Sequence, residues 1–268
     1  SDILDFSATT LNNIDHIETG NGNDSVTGSS GNDVIIGGLG SDTIKGEAGR
    51  DFVIGDDGND VISGGMSADI LVGGAGNDTV NLEGSNDTIL FSAGDGYDTV
   101  NLGDSSAFNI SVGGGIRLSD LNLSRNGDDL LLDVVDSTTG TTTETIELNN
   151  WYSPDPLYIA PQVTLQIIME ASDEFDVASA KMLYQNKIER LNFNSLVDSF
   201  DASNANQWAV MNSALDAHLE GSDSDALGGD IAYRYGLSGS ASVQSVVSAS
   251  SVLQDPEMGI KPQILGLN

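Results

Sequence analysis

Along the first ninety residues the hydrophobic positions follow neither the 3.6-residue period of a helix nor the alternation of a strand. Ile17, Val26, Ile35, Ile44, Val53, Ile62, Leu71, Val80 and Ile89 recur every nine residues. Two positions before each stands an aspartate: Asp15, Asp24, Asp33, Asp42, Asp51, Asp60, Asp69, Asp78 and Asp87. Glycines stand two positions before most of these aspartates (Gly22, Gly31, Gly40, Gly49, Gly58, Gly76) and often five before (Gly28, Gly37, Gly46, Gly55, Gly64, Gly73). The pattern predicts a strand of about three residues with one inward aliphatic side chain. Each strand alternates with a turn that needs positive φ and close backbone approach. Two nonapeptides make one flat coil of about 18 residues, and coils stack as a parallel two-sheet solenoid.

The period breaks in "LFSAGDGYDTVNLGD" at 90–104, where Asp98 falls eleven residues after Asp87. "FNISVGG", "LNLSRNGDDLLLDVVD" and "TTTETIELNNWY" then read as twisted antiparallel strands, with turns at Asn126-Gly127 and near Gly140. From 172 to 220 the pattern turns helical. Ser172, followed by Asp173 and Glu174, suits a helix start, and Trp208, Met211, Leu215 and Leu219 share a face after Ser203 as N-cap. Residues 221–268 are rich in Ser, Gly, Val and Ala and read as a linker, a docking segment or part of an export signal. The fold class is therefore mainly β: a parallel β-roll over 1–100, a small antiparallel β cap over 101–160, a helical region over 161–220 and a Ser/Gly-rich segment over 221–268.

Charge sharpens this picture. The net charge of −32, against nine Lys+Arg, repels nucleic acid and anionic lipid. No apolar run is long enough to span a membrane. Without cysteine there are no disulfides and no thiolate sites. The chain begins at Ser1 with no apolar leader and reads as a piece of something longer. In a stacked coil alternate aspartates share an edge: Asp15, Asp33, Asp51, Asp69 and Asp87 on one, Asp24, Asp42, Asp60 and Asp78 on the other. Strands ~4.8 Å apart place these carboxylates in two ladders, and unit charges ~5 Å apart at a dielectric of ~20 repel by ~3 kcal/mol. Such a coil closes only around cations. Oxygen-only donors with room for six or more ligands favour Ca²⁺ over Mg²⁺ or Zn²⁺.

"GGLGSDTIK" at 37–45 and "GGAGNDTVN" at 73–81 resemble the RTX (repeats-in-toxin) nonapeptide Gly-Gly-x-Gly-x-Asp-x-aliphatic-x of calcium β-rolls. The resemblance covers roughly the first third of the chain. It implies that Asp24, Asp33, Asp42, Asp51, Asp60, Asp69, Asp78 and Asp87 bridge about six to eight calcium ions. It also implies that turn carbonyls complete the shells: Gly20, Gly22, Gly28, Gly31, Gly37, Gly38, Leu39, Gly40, Gly46, Ala48, Gly49, Gly55, Asp57, Gly58, Gly64, Gly65, Met66, Gly73, Gly74, Ala75 and Gly76. Thr19, Ser29, Glu47, Asp56 and Ser67 depart from the glycine consensus, as do Leu82, Glu83 and Ser85 before Asp87. The block ending in "NNWY" is similar to the cap that follows the last roll in RTX toxins. Trp151 and Tyr152 there read as cap packing, with a carbohydrate-stacking platform as the alternative.

Other chemistry is not legible. An EF-hand started at Asp56 or Asp57 puts Ser67 or Ala68 at its bidentate glutamate, and no glycine cluster is followed by the Lys-Ser/Thr of a P-loop. His16 and His218 have no partner at metal-ligand spacing. Glu144 and Glu147 read as a solvated strand face rather than an acid/base pair. The expectation is a non-enzymatic calcium-binding region of a larger secreted bacterial protein. The resemblance implies type I export and folding on extracellular calcium. The alternatives are a calcium-dependent surface assembly module (adhesin, S-layer or filament subunit, as a homo-oligomer) and the C-terminal region of a toxin or hydrolase.

Overall fold

The computed structural model describes residues 1–9, 11, 16–84, 86–176, 178, 183, 185–222, 225–227, 229–238, 253–254 and 263–264. The nine-residue beat becomes alternating strands: β1 (Ile3–Asp5), β2 (Ile17–Asn21), β3 (Ser25–Thr27), β4 (Val34–Leu39), β5 (Thr43–Lys45), β6 (Phe52–Asp57), β7 (Val61–Ser63), β8 (Ile70–Ala75), β9 (Thr79–Asn81), β10 (Asp87–Phe91), β11 (Tyr97–Asn101) and β12 (Ala107–Val112). Odd-numbered strands pair in parallel in one sheet and even-numbered strands in the other, which makes a parallel β-solenoid of about six turns. The register is the 18-residue one, with Val26 opposite Ile44 and Ile35 opposite Val53. The aliphatic series from Ile17 to Ile89 fills the space between the sheets, each side chain buried. Asp15 and Ser85 lie outside the described residues.

Side chains reinforce the stacking. Asparagines before the aspartates cap backbone amides of the next coil: Asn23 Oδ1 accepts from Ser41 N–H at 3.1 Å and Asn59 Oδ1 from Asn77 N–H at 2.9 Å. At the end of the roll an amide ladder carries the pairing onward, with Asn101 donating to Asn81 and Asn149 to Asn101, each at 2.8 Å.

The two sheets do not stop at the last repeat. They continue through β13 (Leu121–Asn126), β14 (Asp129–Val135), β15 (Thr142–Asn149), β16 (Gln162–Ile168), β17 (Ile188–Asn192), the helix α1 (Phe193–Ser203), β18 (Gln207–Ala209), the short helix α2 (Ala214–Ala217), β19 (His218–Ser222) and the helix α3 (Gly229–Ser238). β15 adds in parallel to β11 and β16 in parallel to β12, and everything added beyond them is antiparallel. The antiparallel cap is thus grown directly on the ends of both solenoid sheets. β13 and β14 form a hairpin whose two-residue turn is Gly127-Asp128, one position beyond the expected Asn126-Gly127, with Gly127 at φ 65°. Trp151 is buried and stands edge-to-face on Phe193, a packing position, while Tyr152 lies under the Arg125 guanidinium.

Three sequence expectations change here. "FNISVGG" becomes β12, a parallel strand, because it continues the even-numbered sheet beside β10. No α-helix starts at Ser172 among the described residues: Ser172 closes a 3-10 turn, and the first α-helix starts after Asn192, whose side chain accepts from Ser195 N–H. The stretch from Trp208 to Leu219 is split into β18, a 3-10 turn, α2 and the start of β19, leaving Leu215 and Leu219 exposed. There, pairing with β13 and β17 overrides the helical period.

The outer face of the even-numbered sheet is also apolar. Phe52, Ile54, Ile70, Val72 and Leu90 are buried beneath Ala232 and Tyr235 of α3 and Leu253. Gly236 makes this approach possible: a Cβ there would collide with Ile168, and Gly114 N–H donates to its carbonyl at 2.6 Å. Within 221–268, α3 and Leu253 thus pack on the roll. No helix among the described residues is long and apolar enough to cross a membrane.

Candidate metal centres

Each described repeat aspartate is held at the junction of turn and strand, and its two carboxylate oxygens have different surroundings. One oxygen binds the preceding coil. Asp42 Oδ1 accepts from Asp24 N–H at 2.7 Å, Asp60 Oδ1 from Asp42 at 2.7 Å and Asp78 Oδ1 from Asp60 at 2.8 Å. On the other edge Asp51 Oδ1 accepts from Asp33 and Asp69 Oδ1 from Asp51, both at 2.8 Å, and Asp87 Oδ1 from Asp69 at 3.0 Å. The alternation expected of the two edge rows is present.

The second oxygen has nothing to bind. Oδ2 of Asp24, Asp42, Asp51, Asp60, Asp69 and Asp78 is buried with no hydrogen-bond partner. Asp33 differs, because Ser29 donates its backbone N–H to Oδ2 at 2.6 Å and its hydroxyl to Oδ1 at 3.1 Å. A buried carboxylate oxygen without a partner costs kilocalories, and native folds leave few of them.

The glycine five residues before each aspartate shows where these oxygens point. A Cβ on Gly37 would press on Asp42 Oδ2 and stand 2.9 Å from the Gly55 carbonyl oxygen. On Gly46 it would meet Asp51 Oδ2 and the Gly64 carbonyl, on Gly55 Asp60 Oδ2 and the Gly73 carbonyl, and on Gly28 Asp33 Oδ2 and the Gly46 carbonyl. The free oxygens of Asp42, Asp51 and Asp60 thus each converge with a carbonyl of the next coil on a cradle that a side chain would fill. Gly64 and Gly73 face the free oxygens of Asp69 and Asp78 in the same way.

The remaining turn positions stack carbonyl on glycine. The carbonyls of Gly20, Gly22, Gly31, Gly40 and Gly58 run against Gly38, Gly40, Gly49, Gly58 and Gly76, all with positive φ. Gly65 and Gly74 lie over the carbonyls of Glu47 and Asp56. Glu47, Asp56 and Ser67 themselves adopt φ of 80°, 80° and 95°, so the left-handed turn survives loss of the glycine. Leu39, Asp57 and Ala75 carbonyls already accept N–H groups of Gly22, Gly40 and Gly58, which leaves each a second lone pair. Ala48 and Met66 face each other in a parallel bridge.

Burial governs the charge. In the metal-free chain, burial pushes the carboxyl of Asp51 up to about 8, Asp60 to about 7, Asp69 to about 9, Asp78 to about 6 and Asp87 to about 7. For Asp60 the neighbouring Asp78 and Asp42 add repulsion. Among the described residues no three His, Asp or Glu side chains meet at one point, so most donors of any shell here are backbone carbonyls. Anionic oxygen, carbonyl oxygen, no nitrogen or sulfur, and a cradle closed by glycine suit a hard divalent cation of calcium's size.

One row member escapes the nine-residue count. Asp98 Oδ1 accepts from Asp78 N–H at 3.0 Å, so Asp98 extends the Asp24–Asp78 row after a coil lengthened by two residues. Its signal survives in "GDGYDTV", where Gly94 and Gly96 precede Asp98 and Val100 follows it. Asp95 fixes this turn by accepting from Ser92 N–H and from the Tyr235 hydroxyl. The expected solvated face holds for Glu147 and is corrected for Glu144. Glu147 accepts from the Tyr97 hydroxyl, and Glu144 Oε2 is buried.

Parallel coils whose edges carry buried carboxylates and glycine cradles define a cation-binding β-roll. Residues 10–44, 36–66 and 63–100 match the family model of the RTX calcium-binding nonapeptide repeat (4 copies). These residues, about a third of the chain, are RTX repeats and make this part a calcium-binding structural region. No curated protein matches the chain.

Proposed function

We propose that this chain is a non-enzymatic region of a larger secreted protein, held unfolded by its own charge where calcium is scarce and folded by calcium outside the cell. The six buried aspartate oxygens without a partner carry this reading. Each needs a cation, and with Asp87 and Asp98 they suggest six to eight ions. Asp24, Asp33, Asp42, Asp51, Asp60, Asp69, Asp78 and Asp87 supply the carboxylates, and the turn glycines the carbonyls. Affinities of ~10⁻⁴–10⁻³ M, usual for extracellular calcium modules, would make the fold respond to the step in calcium across the cell envelope. The histidines offer no catalytic set in this reading, since His16 lies beside Glu18 and His218 binds the buried Glu189.

A calcium titration followed by far-ultraviolet circular dichroism tests the proposal. The expected result is a cooperative gain of β signal below millimolar calcium, reversed by chelator. A chain equally folded in chelator, or one folded equally well by magnesium, would refute it.

A surface assembly module is the second reading. It is favoured by Leu157 and Ile159, which stand 87% and 85% exposed beside a cleft of about 500 Å³ between the end of the roll and the cap. Sedimentation in calcium separates the two readings, because assembly predicts mass growing with protein concentration.

A further inference from the structure

In the repeats, a cradle lies between a coil and its successor: Asp42 with Gly55, Asp51 with Gly64, Asp60 with Gly73. Asp78 is 1% exposed, and its partnerless Oδ2 belongs to the interval that the 92–98 turn covers. The row therefore reaches Asp98. The successor of that last coil is not a repeat but β15, which runs parallel to β11 with Asp98 opposite Ile146. Thr145 N–H donates to the Gly96 carbonyl at 2.9 Å. One step earlier in this register Glu144 falls opposite Gly96, where the preceding coil has Gly76.

A glutamate at a glycine position brings a carboxylate to the interval. Glu144 folds back over the turn, and its Oε1 accepts from Gly94 N–H at 2.9 Å. Its Oε2 is buried with no partner, the same condition as the free oxygens of the repeats. Asp98 is 5% exposed beneath it. Asp95 is already committed to Ser92 and Tyr235, which leaves Asp98 and Glu144 as the available pair.

We propose that the cation ladder runs one step beyond the repeats, into a divalent-cation site between the 92–98 turn and β15 that Asp98 and Glu144 close together. This rests on the calcium reading of the repeats. Glu144 is then the ligand that ties the antiparallel cap to the calcium-loaded roll. Two carboxylates with turn carbonyls and water supply the six or more oxygens that calcium takes.

Counting bound calcium by native mass spectrometry and equilibrium dialysis tests this on the whole chain. Glu144→Gln keeps the shape and the acceptor for Gly94 N–H, and it should bind one ion fewer than the unsubstituted chain. Asp51→Asn, on the other edge, serves as the comparison. Loss of an ion in Asp51→Asn with none lost in Glu144→Gln overturns the terminal site and leaves the repeat sites standing. No bound calcium in the unsubstituted chain overturns both. Should Glu144→Gln fail to fold, Glu144→Asp keeps the charge but withdraws the carboxylate by one methylene. It should raise the calcium midpoint of one ion several-fold, and an unchanged titration curve also overturns the proposal. A purely structural role would lower the chelator-treated stability of Glu144→Gln, whereas a ligand role leaves that stability unchanged or raised.

Discussion

Asp51→Asn should change the stability of this protein in opposite directions with and without calcium. Asp51 is completely buried, its Oδ1 bonded to Asp33 N–H and its Oδ2 bonded to nothing. In the metal-free chain burial pushes its carboxyl from 3.8 up to about 8. The folded-state value lies above the unfolded one, so folding takes up a proton and this group's stabilisation is complete only below about pH 3.8. It is lost as pH rises through about 8. At about pH 7.5 the uptake costs about 1.4 kcal/mol per pH unit above 3.8, or about 5 kcal/mol. Asparagine needs no proton. Its amide oxygen keeps the Asp33 bond, and its NH₂ can donate to the Gly64 carbonyl that shares the cradle.

In chelator, then, Asp51→Asn should be the more stable form by a few kcal/mol. With calcium at about ten times the dissociation constant it should be the less stable form, by about 1.4 kcal/mol for each site lost. Urea unfolding followed by circular dichroism, in chelator and in millimolar calcium, reads both signs. Asp5→Asn is the control: Asp5 is exposed, is bonded by the hydroxyl and N–H of Ser7, and belongs to neither carboxylate row, so both curves should stay nearly in place. Destabilisation in both conditions would make Asp51 an ordinary hydrogen-bonding residue. Stabilisation in both would mean that the row is not a metal row. Either result refutes the reasoning.

Gly55 has a backbone open to any residue, but a Cβ there stands 2.5 Å from the Gly73 carbonyl and presses on Asp60 Oδ2. Gly55→Ala should therefore lower the calcium count by at least one. Gly20→Ala, at φ +85° with nothing within 4 Å, should cost only ~1–2 kcal/mol of backbone strain in thermal unfolding and keep the full count. The calcium-free chain should gain β structure as pH falls from about 9 to about 6, because Asp78, Asp60, Asp87, Asp51 and Asp69 all titrate upward-shifted in the fold. A pH titration in chelator that loses structure on acidification across that range contradicts this sign. Tyr235→Phe removes the hydroxyl bonded to Asp95 and should cost ~1–3 kcal/mol in urea unfolding at unchanged calcium stoichiometry.

Periodicity was a good guide wherever the structure itself repeats. Aspartate, aliphatic and glycine positions each map to one geometric role, so counting by nine located both carboxylate rows and the inner core. Asp98 was hidden by two extra residues in its coil, although its own turn keeps the glycines and the valine. Glu144 was not legible at all. Its role depends on β15 pairing with β11 across more than forty residues, and a carboxylate on a strand has no local signal for burial. The helical region is present in α1 and α2, but one continuous helix from Trp208 to Leu219 is not, since partners distant in sequence break that segment.

The true unit is eighteen residues, and the flanks of the aliphatic position show why. In one set of repeats these flanks are Ser25 and Thr27, Thr43 and Lys45, Val61 and Ser63, and Thr79 and Asn81, polar but for the exposed Val61. In the alternating set they are Val34 and Ile36, Phe52 and Ile54, Ile70 and Val72. A parallel strand covered on one face alternates polar with apolar, whereas one covered on both reads as a continuous apolar run. The even-numbered strands are of the second kind, and in the fold α3 and Leu253 cover them. Repeats that face solvent need only the aspartate, the glycines and one aliphatic residue, and they can be kept together by cations alone. Those beneath α3 carry a second hydrophobic layer whose partner lies more than a hundred residues further along the chain. Calcium therefore organises the coils, while the docked C-terminal helix makes one side of the roll an interior. Tyr235 joins these two stabilising devices, because its ring belongs to that outer apolar cluster and its hydroxyl holds Asp95 in the turn that ends the row.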